Sequence, residues 1–274
     1  MYQFNPVTQR DGAKLRKYYQ NCQYGLCEYS VGTKLMWRQT LHPAWAEIAG
    51  CLVIRNTIEG QIVFDYPVPG PEGDEDAALE AIEAYCLEKG VAPVISVVPE
   101  CKAAKLLARY PYVLVSDIRT WRDYVYYRED LQLFAGRRYS GQRNHIKKFH
   151  AQWPDAEFRQ LTAADGETIA RVWQDYEAEF PKGDNAKARD ELELAKKMLR
   201  MVNKPWFVAG GMFDGDKLIA LSLAEKCGGT LIIHIEKALY SHTGVYPTLV
   251  QAFAGAFGDG CQWINREDDA ADRG

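Results

Sequence analysis

The run Leu231-Ile232-Ile233-His234-Ile235-Glu236-Lys237 sets an imidazole and a carboxylate two residues apart at the end of an apolar stretch. Along a strand, a spacing of two puts both side chains on one side and Lys237 on the other. A carboxylate closing such a run is costly unless it is paired or used. Glu236 is therefore a candidate for handling a proton, with His234 and Tyr246 beside it. For His234 the alternative is a satisfied core or sheet residue. A second polar group, Asn265, Arg266, Glu267 and Asp268, follows an apolar strand-like stretch. A dense cluster at a strand end suits substrate contacts in a cleft; the alternative is a surface salt-bridge turn. Lys237 is a further substrate-binding candidate. No second carboxylate cluster with ligand spacing is evident, so no metal is expected.

Two further features could hold an anion. Arg137, Arg138, Arg143, Lys147 and Lys148 form a basic stretch, with Asn144 and His145 inside it. Arg143 and Lys147 lie one helical turn apart. Arg138, Arg143, Asn144, His145 and Lys147 are the candidate contacts to phosphate, the alternative being a solvated helix face. The second feature is a strand–turn–helix unit in each half, because a helix start offers free N–H groups and a positive dipole end. In the first half the turn Glu72-Gly73-Asp74-Glu75-Asp76 is crowded with acids, which satisfy the dipole themselves. In the second, Ala238 to Gly258 holds no Asp or Glu, and Gly244 permits close backbone approach. An anionic ligand should choose the second turn.

The elements that must position these groups are legible from periodicity and turn signals. In the first half a helix is expected over Thr8–Tyr19. Strands are expected at Lys34–Arg38, Ala46–Ile54, Gln61–Tyr66, Val94–Val98 and Tyr112–Ser116, with helices at Ala78–Cys86 and Ala103–Ala108. In the second half a basic helix spans Arg138–Gln152. Thr162-Ala163-Ala164-Asp165 resembles a capping box for a helix with Ile169, Val172, Trp173, Tyr176 and Phe180 on one face. Another helix, Ala188–Val202, follows. Three strands then run Trp206–Met212, Leu218–Glu225 and Thr230–Lys237, joined by Asp214-Gly215 and Gly228-Gly229 hairpin signals. Pro247 suits a helix first turn, and Gln262–Asn265 makes the last strand. Both halves are mixed α/β, with mixed sheets of α+β character. The boundary is expected between Tyr126 and Arg137, giving domains over 1–130 and 131–274.

Bulk properties narrow the class. The 274 residues are 47% apolar and 26% charged, as in ordinary globular chains. The net charge of −4 argues against a general nucleic-acid binder, although a local basic patch remains compatible with it. No apolar run approaches the roughly 20 residues needed to span a bilayer, and the first residues do not form a secretory signal. Seven scattered cysteines, none in metal or redox spacing, read as reduced thiols. A cytoplasmic protein, at most peripheral to a membrane, is expected.

Three blocks carry a family resemblance. The first is Tyr124-Val125-Tyr126-Tyr127-Arg128-Glu129-Asp130-Leu131, with Gly136-Arg137-Arg138-Tyr139 and Arg143-Asn144-His145-Ile146-Lys147-Lys148-Phe149 after it. The second is His234-Ile235-Glu236-Lys237-Ala238, then Gly244-Val245-Tyr246-Pro247. The third is Asn265-Arg266-Glu267-Asp268-Asp269. In this order and spacing they resemble the C-terminal domain family of phosphatidylglycerol lysyltransferases. The resemblance implies two tandem GNAT (acetyltransferase-like) domains. It also implies transfer of an aminoacyl group from aminoacyl-tRNA to an amine or hydroxyl acceptor, such as a lipid head group or small molecule. The basic stretch would then meet tRNA phosphates. The usual acetyl-CoA loop has Gln or Arg, then Gly, then Gly or Ala, where this chain has Ser241, Gly244 and Tyr246, so no cofactor is assigned with certainty; aminoacyl-tRNA or an acyl-CoA is the expected donor. The family pattern also continues past the acidic cluster with a basic strand, whereas this sequence stops at Asp272-Arg273-Gly274, so either the chain is cut short there or the second domain lacks its closing strand. Two other readings stay open: a non-catalytic protein that binds an anionic ligand on the same fold, and an acetyl-CoA-dependent N-acetyltransferase.

Overall fold

A computed structural model describes residues 2–179 and 186–268. Phe180 and Asp269 lie outside the described residues. The chain divides into two compact units, the first reaching Arg122 and the second spanning Asp123–Asp268.

The first unit contains β1 (Asn5–Pro6), α1 (Gly12–Tyr19), α2 (Val31–Met36), α3 (Arg38–Leu41), β2 (Ala44–Ile48), β3 (Cys51–Ile58), β4 (Gln61–Asp65), β5 (Val68–Pro69), α4 (Glu75–Lys89), β6 (Ile95–Val97) and α5 (Glu100–Arg109). Its sheet runs β1-β2-β3-β4-β6, with β5 also on β3. Neighbours are antiparallel except β4 and β6, which are parallel across the α4 crossover. Two expected strands are corrected. Lys34–Arg38 is helical: the Ser30 side chain caps α2 by accepting from the Thr33 amide, and α2 is buried all round. Residues 112–116 form no strand, and Tyr112 and Leu114 lie exposed. The expected strand Ala46–Ile54 is two strands folded back at Ala49-Gly50, both with positive φ. A Cβ at Gly50 would come within 2.9 Å of the Glu72 carbonyl oxygen, so this turn needs glycine.

The second unit contains β7 (Asp123–Tyr127), α6 (Arg128–Leu133), α7 (Ser140–Gln152), β8 (Glu157–Gln160), α8 (Gly166–Glu179), α9 (Ala186–Leu199), β9 (Phe207–Asp214), β10 (Lys217–Cys227), β11 (Thr230–Ala238), α10 (Val245–Phe257) and β12 (Trp263–Asp268). Its sheet order is β7-β12-β11-β10-β9-β8, again antiparallel except for β11 and β12, which are parallel across α10. The division falls ahead of residue 130 because β7 is hydrogen-bonded to β12, Tyr127 opposite Trp263, on the edge beyond the last strand. The hairpin signals at Asp214-Gly215 and Gly228-Gly229 close β9–β10 and β10–β11. The capping box forms as read, with Asp165 accepting from the Thr162 amide at 2.7 Å.

Both units share one connectivity: antiparallel strands, a helix, and a parallel strand beyond it. This is a mixed α/β fold with two mixed sheets, one in each unit. In the second unit, α10 packs Val250, Phe253 and Phe257 against Ala224, Leu231 and Ile233. Each such buried side chain contributes about 1.5–3 kcal/mol. On the other face, Val172, Trp173 and Tyr176 of α8 lie beside Leu221 and Leu239. The sheet is thus a middle layer, and a side chain on β11 must choose a face.

Candidate active site on β11 and β12

Two β-bulges decide where the polar side chains go. In the β10–β11 ladder Leu223 pairs with Ile235 and Ala224 with Ile233, so His234 is the extra residue. In the β12–β7 ladder Asn265 pairs with Val125 and Asp268 with Asp123, leaving Arg266 and Glu267 in the irregularity. A bulge re-aims side chains locally. His234 and Glu236 therefore do not share a side, contrary to the spacing argument. His234 lies with Glu225 and Phe207, which are themselves cross-strand partners. Glu236 points to the α10 face, into a narrow cavity with Leu131, Ile233, Val250 and Phe253. Lys237 faces away from Glu236, as expected, with its ammonium near Glu191 (3.4 Å) and the Tyr176 ring.

The two blocks meet through side chains. Arg266 donates to Glu236 at 2.5 Å. Glu267 holds His234 Nδ1 at 2.7 Å, and Glu225 lies 3.6 Å from Nε2, an ion-pair rather than hydrogen-bond distance. Glu267 has φ +60°, a strained setting for a residue with a side chain. The fully buried Asn265 fixes it: its Oδ1 accepts from the Glu267 amide at 2.8 Å, and its Nδ2 donates to Asp123. Asn265 is thus a positioning residue inside the sheet.

The charges are tuned by these neighbours. Burial alone would lower His234, but Glu225 and Glu267 more than offset it and raise the imidazole to about 9. His234 is an imidazolium wedged between two carboxylates, with its side chain sealed from solvent. Burial raises Glu236, while Arg266 and then Lys237 oppose the shift. Asp268 is raised to about 6 by desolvation and the nearby carboxylates Glu267 and Asp123. The Tyr246 hydroxyl donates to the Glu236 backbone carbonyl at 2.8 Å. Burial and then Glu236 raise Tyr246, which keeps it protonated.

The His234 shift has a signed consequence. The folded value lies above the ordinary value of about 6.5, so the stabilisation is complete below about pH 6.5 and lost as pH rises through about 9. The urea midpoint should fall across that window by the equivalent of a few kcal/mol. His234→Gln should start lower and show little of this slope. An equally steep slope in the variant would remove His234 as its source.

The chain matches, over residues 20–271, the family described as phosphatidylglycerol lysyltransferase, C-terminal. The chain belongs to that family. Among solved structures, it resembles a conserved protein of unknown function from Bacteroides thetaiotaomicron, with 22% identity and a TM-score of 0.84, over 100% of this chain and 92% of the other. It also resembles the C-terminal domain described as that of a lysylphosphatidylglycerol synthetase from Agrobacterium fabrum. There the identity is 9% and the TM-score 0.59, over 94% of this chain and 79% of the other. No curated protein matches. Among the described residues of this family member, no helix is long and apolar enough to cross a membrane.

The remaining candidates separate into engaged and open groups. Gly244 has φ +90°, and a Cβ there would lie 2.4 Å from the His145 carbonyl oxygen, so the turn is pressed against α7. The turn lacks acids in sequence, yet an acid reaches it from α8: Glu179 accepts from the Ser241 amide at 3.1 Å and hydroxyl at 2.6 Å. A carboxylate thus takes donors that an anionic ligand would use. In the basic stretch, Arg138 pairs with Asp130, and Arg143 donates to the carbonyls of Phe134 and Gly136. Asn144, His145, Lys147 and Lys148 are exposed. Sequence reasoning missed Glu225, Asp123 and Glu179. Glu225 carried a faint signal, a lone acid in a strand of apolar residues, whereas Asp123 and Glu179 carried none.

Proposed function

We propose that this chain is an acyltransferase that moves an aminoacyl group from aminoacyl-tRNA to an amine or hydroxyl acceptor, such as a lipid head group or small molecule. The observation that supports it is the largely enclosed Glu236 carboxylate, its side chain 10% exposed, which is raised by desolvation and paired with Arg266. The β11–β12 ladder pairs Thr230–Ile232 with Trp263–Asn265, and Glu236 lies beyond that paired stretch. A carboxylate with an upward-shifted pKa is a better base at neutral pH than an ordinary one.

In this reading the acceptor loses a proton to Glu236 as its nitrogen or oxygen attacks the ester carbonyl of the donor. A new C–N or C–O bond forms, and the carbonyl oxygen becomes an oxyanion that Arg266 N–H groups can stabilise. Collapse breaks the bond to the ribose oxygen, which leaves with the proton from Glu236. His234, Glu267 and Asn265 act as positioning residues that hold the β12 bulge and so aim Arg266. Lys147 of α7, with Asn144 and His145, is the open basic surface for tRNA phosphates.

A second reading, a non-catalytic protein that binds an anionic ligand, would use the exposed Asn144, His145, Lys147 and Lys148 of α7, because Glu179 already takes the Ser241 donors. The same contact opposes an acyl-CoA pyrophosphate at this turn. The test is to incubate the chain with tRNA charged with a labelled amino acid and with amine, hydroxyl or lipid acceptors. Label leaving tRNA and appearing in an acceptor supports transfer. Salt-sensitive tRNA binding without label transfer supports the second reading, and acetyl-CoA consumption in its place would overturn both.

A further inference from the structure

Past the end of β11 the chain turns at Tyr240, whose ring stacks on Tyr176 of α8, with centroids 6.0 Å apart and planes 21° from parallel. Tyr176 is buried, whereas Tyr240 is 57% exposed. One face of Tyr240 is thus backed by a fixed ring while much of its surface stays open. The Tyr176 ring also meets the Lys237 ammonium, which lies 3.4 Å from Glu191. Tyr246, partly exposed, stands next in line, its hydroxyl on the Glu236 carbonyl oxygen. Tyr246 is thus the link between the two groups, close to Tyr240 and hydrogen-bonded to the Glu236 backbone.

A rigid exposed ring at the rim of a charged site has few structural uses. It buries little surface and leaves apolar area in water. It suits a flat π-system, because an aromatic platform binds any base through its face without reading its edge. The Glu179 carboxylate next door, on Ser241, makes the spot poor for a phosphate and leaves it suited to an uncharged ring. We propose that Tyr240, backed by Tyr176, is the stacking platform for the terminal nucleobase of the donor nucleic acid. A nucleoside seated there would direct its ribose ester past Tyr246 toward Glu236. The inference rests on the aminoacyl-tRNA reading for the identity of the nucleic acid, but its binding step needs no chemistry.

The test uses the full chain and two uncharged trinucleotides. One is cytidine-cytidine-adenosine, the common 3′ end of tRNA, and the other is the same backbone with an abasic 3′ position. Affinities are read by calorimetry. The intact trinucleotide should bind about tenfold more tightly than the abasic one. Tyr240→Ala should erase that difference, and Tyr240→Trp should preserve or enlarge it. Because Tyr240 is exposed, these variants should keep the wild-type urea midpoint. Equal affinity of the wild type for both probes overturns the proposal, as does an intact tenfold preference in Tyr240→Ala. Failure of the transfer reading looks different: the base preference would persist while no label moves. Failure of the stacking inference alone would leave label transfer by Tyr240→Ala at the wild-type rate.

Discussion

Glu236→Gln should reduce label transfer by about a hundredfold or more, the usual contribution of a positioned general base. The amide keeps the shape and can still accept from Arg266, so the cavity with Leu131, Val250 and Phe253 need not collapse. What is lost is the proton acceptor. Removing its charge also leaves Arg266 without its counter-ion, so folding must be monitored in parallel by circular dichroism and urea midpoint. A folded variant with unchanged turnover would remove Glu236 from the chemistry. Arg266→Lys should also lower turnover, with less effect on proton transfer than on the oxyanion, because an ammonium cannot present the same planar fork.

The largest effect on stability is expected at Lys34→Met, in the first unit. Lys34 and Asp65 are both buried, their charged atoms 2.5 Å apart, and Asn56 donates to the other Asp65 oxygen at 2.7 Å. Deleting one member of a buried pair leaves the other charge in a medium that solvates it poorly, at a cost of about 3–5 kcal/mol. The double variant Lys34→Met with Asp65→Leu should recover most of that loss, since two apolar groups replace two desolvated charges. Urea titrations of the three proteins measure this directly. A loss below about 1 kcal/mol in the single variant would mean that water reaches Asp65.

Lys34 also shows where the sequence is opaque. A lysine in a short helix buried all round offers no periodicity to read, and its partner Asp65 lies three strands away in the connectivity. The stretch Ala46–Ile54 reads as one apolar strand because the Ala49-Gly50 turn interrupts nothing in hydropathy. The second unit was far more legible. Asp-Gly and Gly-Gly mark its hairpins, Thr162 and Asp165 mark a helix start, and Val250, Phe253 and Phe257 recur at helical spacing. The candidate residues were recognised by chemical type, and Arg266–Glu236 and Glu267–His234 do meet. Their arrangement was not recoverable, because a bulge has no composition signature when it falls between isoleucines. A single extra residue at His234 separates two side chains that strict alternation would unite. The family resemblance supplied order and spacing of the blocks, which residue types alone could not.

The position of β7 bears on how this molecule is made. Tyr127 has its strand partner in Trp263, near the other end of the second unit. During synthesis β7 must wait, with Tyr124, Val125 and Tyr127 in water, while the helices and the β9–β10–β11 meander assemble from local contacts. Only when β12 emerges can it enter between β11 and β7, pairing with both at once. The late strand also brings Arg266 and Glu267, so until then His234 has Glu225 beside it but not Glu267, and Glu236 lacks Arg266. The strand that completes this sheet therefore also supplies the counter-ion of Glu236, and a chain halted before β12 would leave that carboxylate without Arg266.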